Sequence, residues 1–310
     1  MRASLSPPFA LYYRIGAETH GESLLCNLRG YTRSRDNHLP TLGLYRISHS
    51  SLKRFQLMTR RIRARPPYLR TVSMKSTWSE FGSYPFSLPL FKEGDFRLNF
   101  ERQVTIIVGE NGVGKSTLLE GIAVLAGFDD AGGGNGYRPV DHSIAMERSG
   151  GILAASLVGG WLPKTAAGWF FKAETFFSVA RYLDQAARES HEIGPDFLSY
   201  SHGEGFLRFF QERCRRRGVF ILDEPESALS PRRQVELLRI LREAELGGEA
   251  QFIIATHSPI IMAYPNAQLL HMSNKGLSEI DYRSTDHFLF MSEFLSDPES
   301  FLNEKLRKET

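Results

Sequence analysis

The sequence predicts an α/β fold: a mostly parallel central sheet flanked by helices, with an antiparallel β edge and a helical insert. Three observations carry this expectation. Val104–Val108, Val219–Leu222 and Phe252–Ala255 are short, continuous apolar runs, the pattern of strands buried on both faces. Segments at helical spacing separate them, so strand and helix alternate along the chain. Near the C-terminus, Asn274-Lys275-Gly276 stands between two short apolar stretches and reads as a hairpin turn.

In chain order, Phe96–Phe100 alternates apolar and polar residues and reads as an antiparallel strand. The Val104–Val108 strand follows. Leu118, Leu119, Ile122 and Leu125 then recur at helical spacing up to Gly127, a residue suited to end a helix. Residues 129–151 are rich in Gly, Asp and Asn and predict a mobile surface loop. A strand is expected around Trp169–Glu174, a helix from there through about Ser190, and a second helix from Gly203 to Arg216. After the Val219–Leu222 strand, Arg232–Glu245 predicts an amphipathic helix with Val235, Leu238 and Leu241 inward. Beyond Phe252–Ala255 come hairpin strands over Gln268–Met272 and Leu277–Tyr282, then a helical tail.

Charge divides the chain. Residues 1–75 hold 14 Lys and Arg against three acids (Glu18, Glu22 and Asp36), a balance of +11, whereas residues 76–310 carry −8. Three explanations fit the basic segment. Residues 1–57 can be disordered or no part of the working protein, with Met58 and Met74 as alternative starts. The segment can also be a nucleic-acid-binding arm or an arginine-rich targeting peptide. It lacks aromatics interleaved on a helical or strand period, which favours the first. The expected organisation is thus a basic extension over residues 1–75 and one folded domain over 76–310, with a helical subregion at about 128–216. No apolar stretch is long enough to span a bilayer; Gly151–Leu162 comes nearest and is interrupted by Gly159 and Gly160. Two cysteines, Cys26 and Cys214, give no disulfide framework, and a reducing, cytoplasmic location is the simpler expectation.

The chemistry concentrates in four segments. Residues 109–117 read Gly-Glu-Asn-Gly-Val-Gly-Lys-Ser-Thr between a buried strand and a helix, the setting of a phosphate-binding P-loop. Gly109, Gly112 and Gly114 let successive backbone N–H groups curl around phosphate oxygens, and Glu110, Asn111, Val113 and Thr117 complete the cradle. Lys115 can reach the β- and γ-phosphates, Ser116 can offer its hydroxyl to Mg²⁺, and the helix N-terminus adds partial positive charge. Asp223 and Glu224 end the Val219–Leu222 strand, where ligands bind in open α/β sheets; Asp223 suits Mg²⁺ and Glu224 suits a base for attacking water. His257 ends the next buried strand, where its imidazole could donate to a γ-phosphate. Ser201 and Gly203 precede a helix whose N-terminus would face an anion, a setting that also fits an ordinary N-cap.

In this order, Gly-Glu-Asn-Gly-Val-Gly-Lys-Ser-Thr (109–117), Ser-His-Gly-Glu-Gly-Phe-Leu (201–207), Ile-Leu-Asp-Glu-Pro-Glu-Ser-Ala-Leu-Ser-Pro (221–231) and Ala-Thr-His-Ser-Pro-Ile (255–260) resemble the ABC-type P-loop ATPases. The likeness is to the SMC, RecF-like and other non-transporter members, and most of all to a bacterial family of small, coil-less ATPases labelled AAA. It covers about Tyr84 to Asn303. The resemblance implies ATP and Mg²⁺ as ligands and an ATP-dependent homodimer with nucleotide sandwiched between the two copies. Lys115, Ser116, Asp223, Glu224 and His257 match its positions for phosphate, Mg²⁺, Mg²⁺, base and γ-phosphate sensor. Ser201 and Gly203 match the signature that acts on the partner's nucleotide, and Ser227, Ala228 and Leu229 match the loop crossing the dimer interface.

The chain departs from that pattern in places. No Gln occurs between Gln103 and Gln185, so Glu174 is the best substitute for the glutamine that contacts Mg²⁺ or the attacking water; otherwise it is a surface carboxylate. Ser230 stands where Asp is common. Tyr84 can stack on adenine or serve packing. Ser201 follows Lys115 by only 86 residues, which leaves no room for long coiled-coil arms. No Asn-Lys-x-Asp segment follows, which disfavours guanine recognition. Three functions compete: an ATP-hydrolysing homodimer acting on DNA or a protein effector, a binding module gated by ATP with incidental hydrolysis, and the energising subunit of a transporter.

Overall fold

The computed structural model describes residues 17–20, 23–26, 65–79, 82–135, 149–176 and 202–307. The chain divides into two units, residues 1–63 and 64–310. In the first, β1 (Ala17–His20) and β2 (Ser23–Cys26) pair antiparallel, a ribbon inside the segment for which disorder is one expectation.

The second unit holds two sheets. One is antiparallel in the order β4-β3-β6, from β3 (Leu69–Met74), β4 (Arg97–Asn99) and β6 (Leu157–Trp161). The other has six strands: β5 (Val104–Val108), β7 (Gly168–Lys172), β8 (Gly218–Asp223), β9 (Ala250–Ala255), β10 (Gln268–Ser273) and β11 (Gly276–Glu279). Their order is β11-β10-β5-β9-β8-β7, and every pairing is parallel except that of β10 with β11. The helices are α1 (Lys115–Ala126), α2 (Ser149–Ser156), α3 (His202–Cys214), α4 (Pro231–Gly247), α5 (Pro259–Met262), α6 (Asp286–Ser296) and α7 (Pro298–Lys305).

All residues of β5, β8 and β9 are buried, as their unbroken apolar runs require. Alternation along the strands feeds two cores. Ile107, Ile221 and Ile253 face α1 residues Leu118, Leu119 and Ile122 together with Tyr68, Leu69 and Phe91. Ile106, Phe171, Phe220 and Phe252 join Phe206, Phe209 and Phe210 of α3 and Leu237 and Leu241 of α4. This second core is aromatic and set edge to face; Phe171 and Phe209, for instance, have centroids 5.7 Å apart at 78°.

Three sequence expectations need correction. The compact unit begins at residue 64, ahead of the boundary drawn between 75 and 76, because β3 is the middle strand of its sheet and Tyr68, Leu69 and Val72 are buried. Gln251 of β9 secures it: its side-chain oxygen accepts from the N–H groups of Tyr68 (2.7 Å) and Leu69 (2.9 Å), and its amide donates to the Leu69 carbonyl (2.9 Å). In α4 the inward residues are Gln234, Leu237 and Leu241, with Leu238 half-buried and Val235 exposed. The start of the glycine-rich stretch is packed, since Gly132, Gly133 and Gly134 are buried and Gly133 exchanges two 2.9 Å backbone hydrogen bonds with Phe170. Residues 136–148 and 177–201 lie outside the described residues, and with them the helix expected through Ser190. Among the described residues no helix is long and apolar enough to cross a membrane.

Candidate functional site

Strand register builds the site. Lys172 pairs with Asp223, Asp223 with Ala255, and Ala255 with Ile107, in a row across the strand ends. The loop after β5, Asp223-Glu224 at the end of β8 and Thr256-His257 after β9 therefore leave the sheet at one edge. In an open α/β sheet this carboxyl edge is where ligands bind.

The loop between β5 and α1 has a backbone that glycine alone tolerates at two points. Gly109 has φ 155°, and a Cβ there would collide with the carbonyl oxygen of Met272. Gly114 is the N-cap of α1 with φ 101°, against the side chain of Leu88. Lys115 is buried, and its Nζ donates to the carbonyls of Gly109 (3.0 Å) and Glu110 (2.9 Å). Burial holds its pKa below the ordinary lysine value, while Glu224, Asp223 and Glu226 pull it back up. Thr117 is buried, and its Oγ1 lies 2.6 Å from the hydroxyl of Tyr84, whose ring is half exposed beside the loop.

Ser116 Oγ donates to Asp223 Oδ1 at 3.1 Å. Burial pushes the Asp223 carboxyl up to about 7, against the opposing pull of Lys172 and the Ser116 hydrogen bond. Lys172 has no counterpart among the residues singled out from sequence. Its Nζ contacts Glu120 at 2.8 Å; burial works to lower its pKa, but the hydrogen bond and charge of Glu120, with Asp223 and Glu174, hold it above the ordinary value. The strand end beside Asp223 is thus a lysine, and Glu174 sits in the turn beyond it. The Glu174 side chain is 73% exposed and lies 3.7 Å from Lys172.

No group of three or more His, Cys, Asp and Glu is arranged to hold a metal among the described residues. One carboxylate, one hydroxyl and a ligand's own phosphate oxygens are nonetheless the donor set Mg²⁺ commonly takes. Ser116 and Asp223 therefore fit that ion, and a cation beside them would hold the buried carboxyl ionised.

Glu224 adopts the left-handed conformation at φ 47°, with its N–H donating to the Ala255 carbonyl at 3.0 Å. Its side chain is 44% exposed, and Oε1 lies 3.7 Å from Nε2 of His257. The 3₁₀ turn Pro225–Ala228 follows. Within it the Glu226 carboxylate accepts from Thr256 Oγ1 (2.8 Å) and from the N–H of His257, so this turn is tied to the end of β9. Burial raises the Glu226 pKa, and those two bonds draw it back. His257 Nε2 is buried with no hydrogen-bond partner. Its other nitrogen, Nδ1, lies 3.4 Å from Nε2 of His287 on α6, a residue that no sequence motif pointed to.

Gly203 is the second residue of α3, and a Cβ there would lie 3.1 Å from the carbonyl oxygen of Ala228. A small residue thus lets α3 start against the 3₁₀ turn. Ser201 lies outside the described residues.

Residues 78–155 match the family model of an AAA domain. Residues 161–263 match the model described as "AAA domain, putative AbiEii toxin, Type IV TA system". The first stretch contains the glycine loop, and the second contains Asp223, Glu224 and His257. No curated protein matches the chain. Among solved structures, the SMC head domain from Thermotoga maritima is 16% identical, with a TM-score of 0.39 over 69% of this chain and 99% of that one. The protein cbiO1 from Clostridium perfringens, part of the ABC transporter complex cbiONQ, is 18% identical, with a TM-score of 0.38 over 77% and 100%.

Proposed function

We propose, taking this chain as a P-loop ATPase of the ABC/AAA class, that it binds ATP with Mg²⁺ and hydrolyses it in a site closed by a second copy of itself. One observation carries the proposal. A glycine loop, a buried Asp with an adjacent Glu, and a histidine whose buried Nε2 lacks a partner all leave the sheet at one edge.

Each residue has a role in that chemistry. The backbone N–H groups of 109–117 and the N-terminus of α1 receive phosphate oxygens. Lys115 keeps an ammonium proton for the β- and γ-phosphates beyond the two it gives to Gly109 and Glu110. Ser116 and Asp223 would hold Mg²⁺, which when bound would supply positive charge against the phosphate oxygens. Glu224 takes the proton of the attacking water as its oxygen bonds to the γ-phosphorus, and the bond from that phosphorus to the bridging oxygen breaks with ADP leaving. His257 donates from Nε2 to a γ-oxygen and senses its loss. Glu174 supplies an outer contact to the metal or water on leaving Lys172. Ser201 and Gly203, the residues matched to the signature, act on the γ-phosphate held by the other copy, Gly203 from the start of α3, with Ser227–Leu229 between the two. The half-exposed Glu224 supports that reading, because the catalytic tip is open to solvent in a single copy. Closure and reopening would then act on DNA or a protein effector.

The test pairs turnover with assembly. Wild type should hydrolyse ATP, Lys115→Ala should not, and Glu224→Gln should double its mass in light scattering when ATP is added. Equal turnover by wild type and Lys115→Ala, with no ATP-dependent change in mass, removes the proposal. A second reading has one observation in its favour: Glu174 is 73% exposed and lies 3.7 Å from the Lys172 ammonium, an engagement that suits slow turnover and an ATP-gated binding role. Steady-state rates with and without single- and double-stranded DNA separate the two.

A further inference from the structure

The two ring nitrogens of His257 are engaged unequally. Nδ1 lies 3.4 Å from Nε2 of His287, with ring centroids 5.5 Å apart at 48°, while Nε2 is buried without a hydrogen bond. His287 is the second residue of α6, and the start of that helix is fixed: Thr285 is buried and its hydroxyl accepts from the Phe288 N–H at 3.2 Å. The backbone of His257 is held independently, by its N–H to the Glu226 carboxylate. Backbone and ring are thus steered from two different elements.

Protonation narrows the arrangement. Burial lowers both imidazoles below the usual histidine value. Lys115 lowers His257 further against the pull of Glu224, and His257 lowers His287 further, as does Lys115, against Asp286 and Glu226. Two neutral imidazoles can share a hydrogen bond only if one donates and the other accepts. If His257 donated from Nδ1, its Nε2 would turn a lone pair toward the Glu224 oxygen 3.7 Å away and toward any phosphate beyond. The reverse assignment turns an N–H toward both.

We propose that His287 is a positioning residue for the ATPase site: its Nε2–H donates to Nδ1 of His257 and fixes His257 as the Nε2–H tautomer, with that proton directed into the site. The catalytic consequence rests on the ATPase reading above; the tautomer rests on the geometry of the two rings, both neutral, and on the Glu224 oxygen facing Nε2. His287 moves with α6, so that helix acquires a direct hold on the γ-phosphate sensor.

The full chain labelled with ¹⁵N-histidine tests this without nucleotide. The His257 signals are assigned by their loss in His257→Gln. In wild type at pH 7.5, Nδ1 of His257 should show the shift of an unprotonated acceptor and Nε2 that of a protonated nitrogen. In His287→Phe, which keeps a ring but loses the donor, the two shifts should converge toward a tautomer average. In His287→Gln, whose amide can donate from a similar place, they should separate again. In the ATPase assay, kcat of His287→Phe should fall about tenfold with KM within about twofold, and His287→Gln should recover most of the loss. A wild-type His257 in the Nδ1–H form overturns the proposal, as does a His287→Phe protein with unchanged shifts. The wild-type spectrum decides the tautomer even if the phenylalanine variant fails to fold. A chain without ATPase activity but with the expected spectrum would sink the ATPase reading and leave the histidine geometry standing.

Discussion

The loop end of the site and the strand-tip end differ in how fully their polar groups are used. At the loop end, Lys115 rests on two carbonyls, Ser116 on Asp223, and Thr117 on Tyr84. At the tip end, Glu224 is half exposed and the Nε2 of His257 is buried with no partner, although the backbone of both residues is firmly held. An unpartnered buried polar atom costs on the order of 1–3 kcal/mol, a cost that a ligand supplying the partner removes. One half is therefore a preformed cradle, and the other is a set of aimed groups that a triphosphate would complete.

Removing the aimed carboxylate should give the largest effect. Glu224→Gln should slow turnover by about 100-fold or more with ATP affinity unchanged, as read by single-turnover kinetics and nucleotide titration. A matching loss of affinity would move Glu224 into the cradle. Next, Gly109→Ala forces a Cβ against Met272 and should cost about 3 kcal/mol in a denaturant melt and abolish ATP binding. An unchanged midpoint would mean the cradle is softer than its backbone implies.

Asp223→Asn separates stability from function. The folded carboxyl titrates at about 7, the unfolded one near 3.9, so stability is highest in acid and is lost as pH rises through about 7. The amide escapes this loss. The variant should melt a few degrees above the parent at pH 8.5, with the gap narrowing as pH falls below about 7 and closing only near pH 4, while hydrolysis disappears. The smallest effect concerns Tyr84. If its exposed ring stacks on adenine, Tyr84→Leu should raise KM about fivefold and Tyr84→Phe should leave it unchanged. Equal KM values for all three proteins would leave the ring a packing role only.

The parallel strands were legible because burial on both faces writes an unbroken apolar run, as in Val104–Val108. The strand Leu69–Met74 was not. It lies in the basic segment, and its register shifts between Leu69 and Thr71, so its buried residues do not simply alternate. The facing of α4 is hidden in the sequence because a polar residue fills an inward slot. Gln234 is buried and donates to the Leu229 carbonyl at 3.1 Å, which hides the helical phase. Within the site, the glycine loop and the Asp-Glu pair stand out locally, since each is one contiguous stretch. Lys172 and His287 do not, because register and tertiary packing bring them there. The one available cue for Lys172 was its position at the end of an apolar run, two residues before Glu174.

Glu224 occupies a backbone basin that favours glycine, with φ at 47°. Its side chain is retained at an expense of roughly 1 kcal/mol in folding free energy. In a library randomised at this position, selection by heat alone should enrich glycine, and selection by turnover should return glutamate. Thermal hardiness and catalytic competence would pull one codon in opposite directions.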